Sequence, residues 1–228
     1  MKLDNRQVAW AYIAPFALIW AGLALRSVLA AAFAPGEAPD LRWLYGAQSL
    51  AALFALSFFA PAYTELATTR SGTLRQYAAA AATGLGVFVL WILPLPRLPS
   101  INFATAHFSA LGTDGRLDPV LALVHCAGSV LVIPVVEELF WRSFLMRWID
   151  RRDFSNLAPQ QTSTFAVLGS SLAFAMEHEQ VAAGLAAGLA YALIYRRSGS
   201  LRHAIFAHAT TNLALAAWVI SRNAWEFW

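Results

Sequence analysis

The chain has 228 residues, of which 59% are hydrophobic and only 13% are charged. Soluble domains carry about 25% charged residues, so this composition argues against a soluble protein. The net charge is +3, but the basic residues lie between apolar runs, as membrane orientation requires, and we expect no nucleic-acid partner. Cys126 is the single cysteine, which excludes an internal disulfide and a cysteine metal cluster.

Seven apolar stretches follow one another along the chain, and a membrane-spanning helix needs about 20 such residues. In hydrocarbon only helices and closed barrels satisfy the backbone, so all seven stretches should be helical. We therefore predict an all-α, polytopic transmembrane bundle of 7–8 helices, with residues 1–228 forming one membrane-embedded domain and a motif-bearing core at about 117–221. The predicted spans lie near 8–33, 43–61, 77–95, 117–149, 162–179, 181–197 and 200–221.

Two of these stretches differ from the others. The run from Val8 to Leu25 is longer than the apolar core of a usual signal peptide, so we predict an uncleaved first span. The fourth stretch is longer than one span needs and carries Pro134 in its middle. If proline breaks the helix there, the bundle has eight helices.

Basic residues are distributed unequally between the two sets of connecting segments. With seven spans, ten of them share the side of the N-terminus, and four lie on the other side. This asymmetry predicts a cytoplasmic N-terminus.

Small residues recur at helical spacing in the sixth span. Ala183, Gly184, Ala187 and Gly188 form a stripe at which another helix could approach closely. We predict that this stripe is a packing face.

Ionisable residues stand where lipid should be in the fourth span. Glu137, Glu138 and Arg142 follow a continuous apolar run, and each charge near a bilayer centre costs about 2.5–3.5 kcal/mol. Glu138 and Arg142 are four residues apart on one helix face, so they should pair. Glu137 lies about 100° around the helix and is left to face another group or a water.

Two further polar sets occur in later spans. Phe174 and His178 end the fifth, and His208 and Asn212 share one face of the seventh. A single histidine in a membrane helix is usually a hydrogen-bonding partner for another helix. Three spans that each carry polar groups at helical spacing favour a common site.

The available groups limit the chemistry of that site. The chain has no Gly-x-Ser-x-Gly elbow, no Asp within a span, and no second histidine after His178 at the spacing of a zincin helix. The remaining set suits attack of water on a carbonyl, with Glu137 as base, His178 assisting, and His208 and Asn212 facing the oxyanion. A zinc ion held by Glu137, His178 and His208 is the alternative.

The three sets, in this order and spacing, resemble the motifs of the CAAX prenyl protease and bacteriocin-processing (CPBP, or Abi) family of intramembrane endopeptidases. The stretch from His178 to Asn212 is also similar to CAAX-protease-related proteins that accompany PEP-CTERM exosortase systems. The resemblance implies a membrane core of about eight helices and a glutamate-type mechanism without a cofactor. It implies a catalytic set of Glu137, Glu138, Arg142, His178, His208 and Asn212.

This chain departs from the family pattern in two places, the first motif and the acidic residues Glu177 and Glu179 on either side of His178. Members commonly carry Phe-Arg-Gly where this chain has Trp141, Arg142 and Ser143, which should reshape the pocket.

The partners expected are membrane lipid and a protein or peptide substrate, either free or membrane-anchored. Two other functional classes stay open at this point. One is a non-catalytic membrane immunity or assembly factor, and the other is a transporter with a proton relay.

Overall fold

Long helices make up most of the chain. A computed structural model describes residues 5–33, 39–67, 72–94 and 107–228. Within these ranges there are seven helices of twelve or more residues. They are α1 Asn5–Ala32, α2 Trp43–Phe58, α3 Leu74–Trp91, α4 Pro119–Asp150, α5 Thr164–Ala175, α6 Val181–Ser198 and α7 Leu201–Arg222.

The helices follow the predicted spans closely, and the all-α prediction is confirmed for the part of the chain described. Three of them, α1, α4 and α7, are long and apolar enough to cross a membrane, and α2 and α5 are shorter apolar helices. Large apolar side chains such as Phe54 (74% exposed) and Phe165 (75% exposed) cover the outer surface. The protein is therefore an integral membrane protein.

Helix α4 continues through Pro134 without a break. A π-helical turn, Gly128–Val132, comes directly before the α-helical segment Ile133–Glu138 that contains the proline. Proline has no N–H and its ring crowds the preceding turn, and a π-turn is one way for a helix to absorb such a disturbance. The division of the fourth stretch into two helices is therefore not observed.

Local signals fix several helix ends. Thr73 and Gln76 form a capping box at the start of α3, and the Asp118 side chain accepts two backbone N–H groups ahead of Pro119 at the start of α4. Gly199 ends α6 at φ 67°, a left-handed conformation that favours glycine.

The Arg42 side chain connects the segment before α2 to the segment before α4. Arg42 donates to the Ser109 and Leu111 carbonyls at 2.9 and 2.6 Å. Arg42 also pairs with Asp40, and the hydrogen bonds that it donates to Asp40 lower the pKa of the Asp40 carboxyl.

Helices α5 and α6 meet along the predicted small-residue stripe. Ala183 and Ala187 are each 1% exposed. A Cβ on Gly188 would lie 2.9–3.0 Å from the Ser171 backbone of α5, and a Cβ on Gly184 would lie 3.1 Å from Ala175. The packing prediction for this stripe is confirmed.

Helix α1 packs into the same core. Ala11 is fully buried, and its carbonyl accepts a hydrogen bond of 2.6 Å from the Tyr63 hydroxyl. The core that results surrounds the middle of α4, where the two glutamates lie.

Candidate active site

The centre of the site is a buried chain of three charged or polar groups. Glu138 is fully buried, and its Oε2 lies 3.2 Å from Arg142 Nε, as the i, i+4 spacing predicts. Its other oxygen, Oε1, lies 2.9 Å from Nδ1 of His208 on α7. One carboxylate therefore joins the first and third motifs across two helices.

Arg142 is held by aromatic faces as well as by its carboxylate. The guanidinium carbon lies 4.3 Å from the ring centre of Phe174 and 5.5 Å from that of Tyr191. Its Nη2 lies 3.5 Å from the Gly188 carbonyl. The cation is thus enclosed between α4, α5 and α6, where it balances one of the two glutamates.

The contact with Glu138 fixes the orientation of His208. Because a carboxylate accepts, Nδ1–H is the donor and Nε2 is left on the opposite side of the ring. Nε2 lies 3.9 Å from Glu137 Oε2, which is buried and has no hydrogen-bond partner. The imidazole therefore stands between two carboxylates.

His178 follows the end of α5 and turns its ring toward the same site. Its Nδ1 lies 2.9 Å from the Phe174 carbonyl, so Nδ1–H donates and Nε2 of the neutral ring is an acceptor. The ring packs against Trp91 and Phe174 at centroid distances of 5.1 and 4.7 Å.

Asn212 lies one turn beyond His208 on α7. Its Nδ2 donates to the Ser129 carbonyl in the first π-helical turn of α4 at 2.7 Å. One N–H of the amide is used in this way, and the second N–H and the oxygen have further bonding capacity.

A cavity of about 90 Å³ connects these residues, which is room for a few water molecules. Glu137, His178, His208 and Asn212 all line it. Glu137 and His178 come from different parts of the chain, the middle of α4 and the segment just after α5. Packing of the α5–α6 turn against α4 brings both of them to this cavity.

Three further lining residues carry no sequence signal that would have identified them. Trp91, Tyr191 and Thr211 come from α3, α6 and α7. Tyr191 stacks on His208 at 4.9 Å, and its hydroxyl lies 2.7 Å from Thr211 Oγ1, which donates to the Gly84 carbonyl. Tyr191 thus supports the His208 ring from α6, and Trp91 packs against His178 from α3.

A second buried ion pair, also missed by sequence reasoning, lies further along α4. Arg147 Nη2 lies 3.0 Å from Glu65 Oε1, and the Tyr195 hydroxyl donates to Glu65 Oε2 at 2.6 Å. Ser143, the departure from the family glycine, donates to the same glutamate. This network ties the short helix Thr64–Ala67 to α4 and α6.

The zinc alternative has no formed ligand set. Among the residues that the structure describes, no three His, Cys, Asp or Glu side chains are placed to hold a metal ion. Glu137, His178 and His208 line one cavity without being arranged as a coordination site.

Comparison with protein families agrees with this geometry. Residues 119–214 match the model of the Rce1-like family, described as type II CAAX prenyl endopeptidases. This segment of the chain is therefore similar to the CAAX protease family. The matched segment runs from the start of α4 to two residues beyond Asn212, so it contains all three motifs. Searches of curated proteins and of solved structures gave no match.

The likeness of this segment to the Rce1-like family supports a protease that acts on a protein or peptide substrate in a membrane environment. The resemblance recognised from the three motifs is confirmed at the family level. The narrower likeness to the PEP-CTERM-associated proteins stays a prediction.

Proposed function

We propose that this protein is a CAAX-protease-like, glutamate-type intramembrane endopeptidase in which Glu137 activates water for attack on a peptide carbonyl. The observation that carries the proposal is the buried, unpartnered Glu137 Oε2 beside a cavity that His178, His208 and Asn212 also line. A buried carboxylate oxygen without a hydrogen-bond partner is costly unless it has a function. A water molecule in the cavity would be the partner of Glu137 Oε2.

The water is positioned by two acceptors. Glu137 Oε2 accepts one of its protons, and His178 Nε2 accepts a hydrogen bond from the other, because Nδ1 of His178 is engaged with the Phe174 carbonyl. Glu137 removes the first proton as the water oxygen bonds to the carbonyl carbon. Glu137 later returns that proton to the leaving amine as the C–N bond breaks.

Charge balance gives His208 a more specific role than the sequence did. Glu137 and Glu138 are both buried beside a single arginine, so a proton on His208 brings the four groups to neutrality. With Nδ1–H donated to Glu138, the second proton stands on Nε2 and faces the cavity. His208 then supplies a positively charged donor to the oxyanion, and Asn212 supplies its remaining N–H.

The proposed setting is the bacterial inner membrane, with the N-terminus in the cytoplasm and lipid around the helices. The substrate is a protein or peptide segment, free or membrane-anchored, that reaches the cavity within the bilayer. Neither a nucleic acid nor a bound cofactor has a role in this scheme.

The test is a cleavage screen with purified wild-type and Glu137→Gln proteins in liposomes. Membrane-segment peptides are incubated with each protein, and products are identified by mass spectrometry. We expect cleavage by the wild type and none by Glu137→Gln, which keeps the size of the side chain but is not a base. Cleavage by the variant at the wild-type sites would refute the role of Glu137.

A parallel arm with a metal chelator separates the two hydrolytic mechanisms. Cleavage that survives the chelator supports the glutamate mechanism. Cleavage that the chelator abolishes and zinc restores would return Glu137, His178 and His208 to the role of ligands.

A further inference from the structure

A second, larger cavity opens on the lipid-facing side of the same part of the bundle. It has a volume of about 570 Å³ and lies between α1, α4 and α5. Leu172 and Met176 at its rim are 54% and 37% exposed. Its lining includes Phe16, Trp20, Trp141, Leu172, Met176 and Glu177.

Glu177 is the one charged group among the side chains that line this groove. Its Oε1 accepts from Trp20 Nε1 at 2.9 Å, and its Oε2 accepts from Trp141 Nε1 at 3.0 Å. Both donors are neutral, and no cationic side chain of the described residues lies within ion-pair distance. An uncompensated carboxylate in apolar surroundings is costly, and intramembrane charges usually have a partner.

The groove adjoins the candidate active site. Glu177 immediately precedes His178, and the two side chains line different cavities. Trp141 packs edge-on against Phe174 at 6.2 Å, and Phe174 lines the site cavity. The aromatic pair Trp141 and Phe174 therefore lies between the groove and the cavity that Glu137 lines.

We propose that this groove is a substrate subsite that takes the side chain of a lysine or arginine, with Glu177 as the specificity-determining residue. The inference rests on the proposed endopeptidase function. The cation meets the Glu177 carboxylate, and the aliphatic stem lies against Phe16 and Met176, as long basic side chains do at apolar surfaces. The Trp20 and Trp141 rings add cation–π attraction.

The test measures binding, so it does not depend on cleavage. The protein is Glu137→Gln in lipid nanodiscs, and the probes are 20-residue alanine–leucine peptides with one central lysine at each of four successive positions. The matched probes carry norleucine, which has the lysine stem without the amine. For the best position we expect the lysine peptide to bind roughly ten- to a hundredfold more tightly, as for a hydrogen bond to a charged group.

Three variants test whether the preference for lysine over norleucine depends on the Glu177 carboxylate. Adding Glu177→Gln to the Glu137→Gln protein should bring the affinities for the lysine and norleucine peptides to within about twofold of each other. Glu179→Gln removes the same charge two residues away, outside the groove, and should leave the preference intact. Trp20→Phe retains the carboxylate and should retain the preference.

Equal binding of lysine and norleucine peptides, or binding of neither, overturns the subsite, and this comparison needs no variant at Glu177. A preference that persists in Glu177→Gln also overturns it. A lysine preference in a protein whose wild type cleaves nothing would instead count against the proposed function and leave the binding site standing.

Discussion

Glu137 and Glu138 are adjacent in the sequence, yet their surroundings differ completely. Glu138 is fully buried and has Arg142 and His208 as partners. Glu137 faces a cavity and has an oxygen without a hydrogen-bond partner. The 100° step of the helix is the physical reason that one residue can neutralise charge while its neighbour meets water.

Breaking the inner pair should destabilise the protein. In Arg142→Met, Glu138 and Glu137 lose their shared cation, and we expect a loss of about 3–5 kcal/mol in the free energy of unfolding. Denaturant unfolding in detergent measures it. The double variant Glu138→Gln/Arg142→Met should recover part of the loss, because no unpaired charge remains at position 138. If the losses of stability in the single variants Glu138→Gln and Arg142→Met simply add up in the double variant, the pairing is contradicted.

Sequence reasoning succeeded at this scale where the contact is local. The Glu138–Arg142 pair follows from i, i+4 spacing alone. The bond from His208 to Glu138 joins residues 70 apart, and the bonds from Trp20 and Trp141 to Glu177 span 157 and 36 residues. No helical periodicity contains that information, because it depends on how the helices pack.

At the scale of helices, long apolar runs were enough to predict seven spans. Hydropathy is insensitive to hydrogen-bond register, however, so the π-helical turns Gly128–Val132 and Leu139–Met146 of α4 were not predicted. They flank the segment that carries both glutamates. An extra residue in a turn rotates the C-terminal part of the helix relative to the N-terminal part, and such turns are frequent at functional sites.

Helices α3 and α7 come close together at Gly84, and this contact gives a prediction with an internal control. A Cβ on Gly84 would collide with the Ala207 carbonyl, one residue before His208, whereas a Cβ on Gly86 would meet nothing. Gly84→Ala should therefore destabilise the protein by about 1–3 kcal/mol and lower any cleavage activity.

Gly86→Ala, in the same helix, should be neutral or stabilise the protein by about 0.5–1 kcal/mol. Thermal unfolding of the two variants side by side measures the difference. Equal melting temperatures would mean that the two helices do not approach each other as described.

At the scale of the whole molecule, if each of the seven helices crosses the membrane once, the two ends lie on opposite sides. Because basic residues are concentrated on the N-terminal side, we expect a cytoplasmic N-terminus and an external C-terminus. Fusions of a reporter that is active on one side only, made at each end, measure this. Signals from both ends on the same side would contradict the seven-helix topology.

The proposed mechanism depends above all on Glu137. The most direct measurement is the single-turnover cleavage rate of wild type, Glu137→Gln and Glu179→Gln on one peptide found by the screen. A general base contributes roughly 10²- to 10⁴-fold, so Glu137→Gln should lose at least that much while Glu179→Gln stays within about threefold of the wild type. A Glu137→Gln protein that is folded and cleaves at more than about a tenth of the wild-type rate would contradict the mechanism.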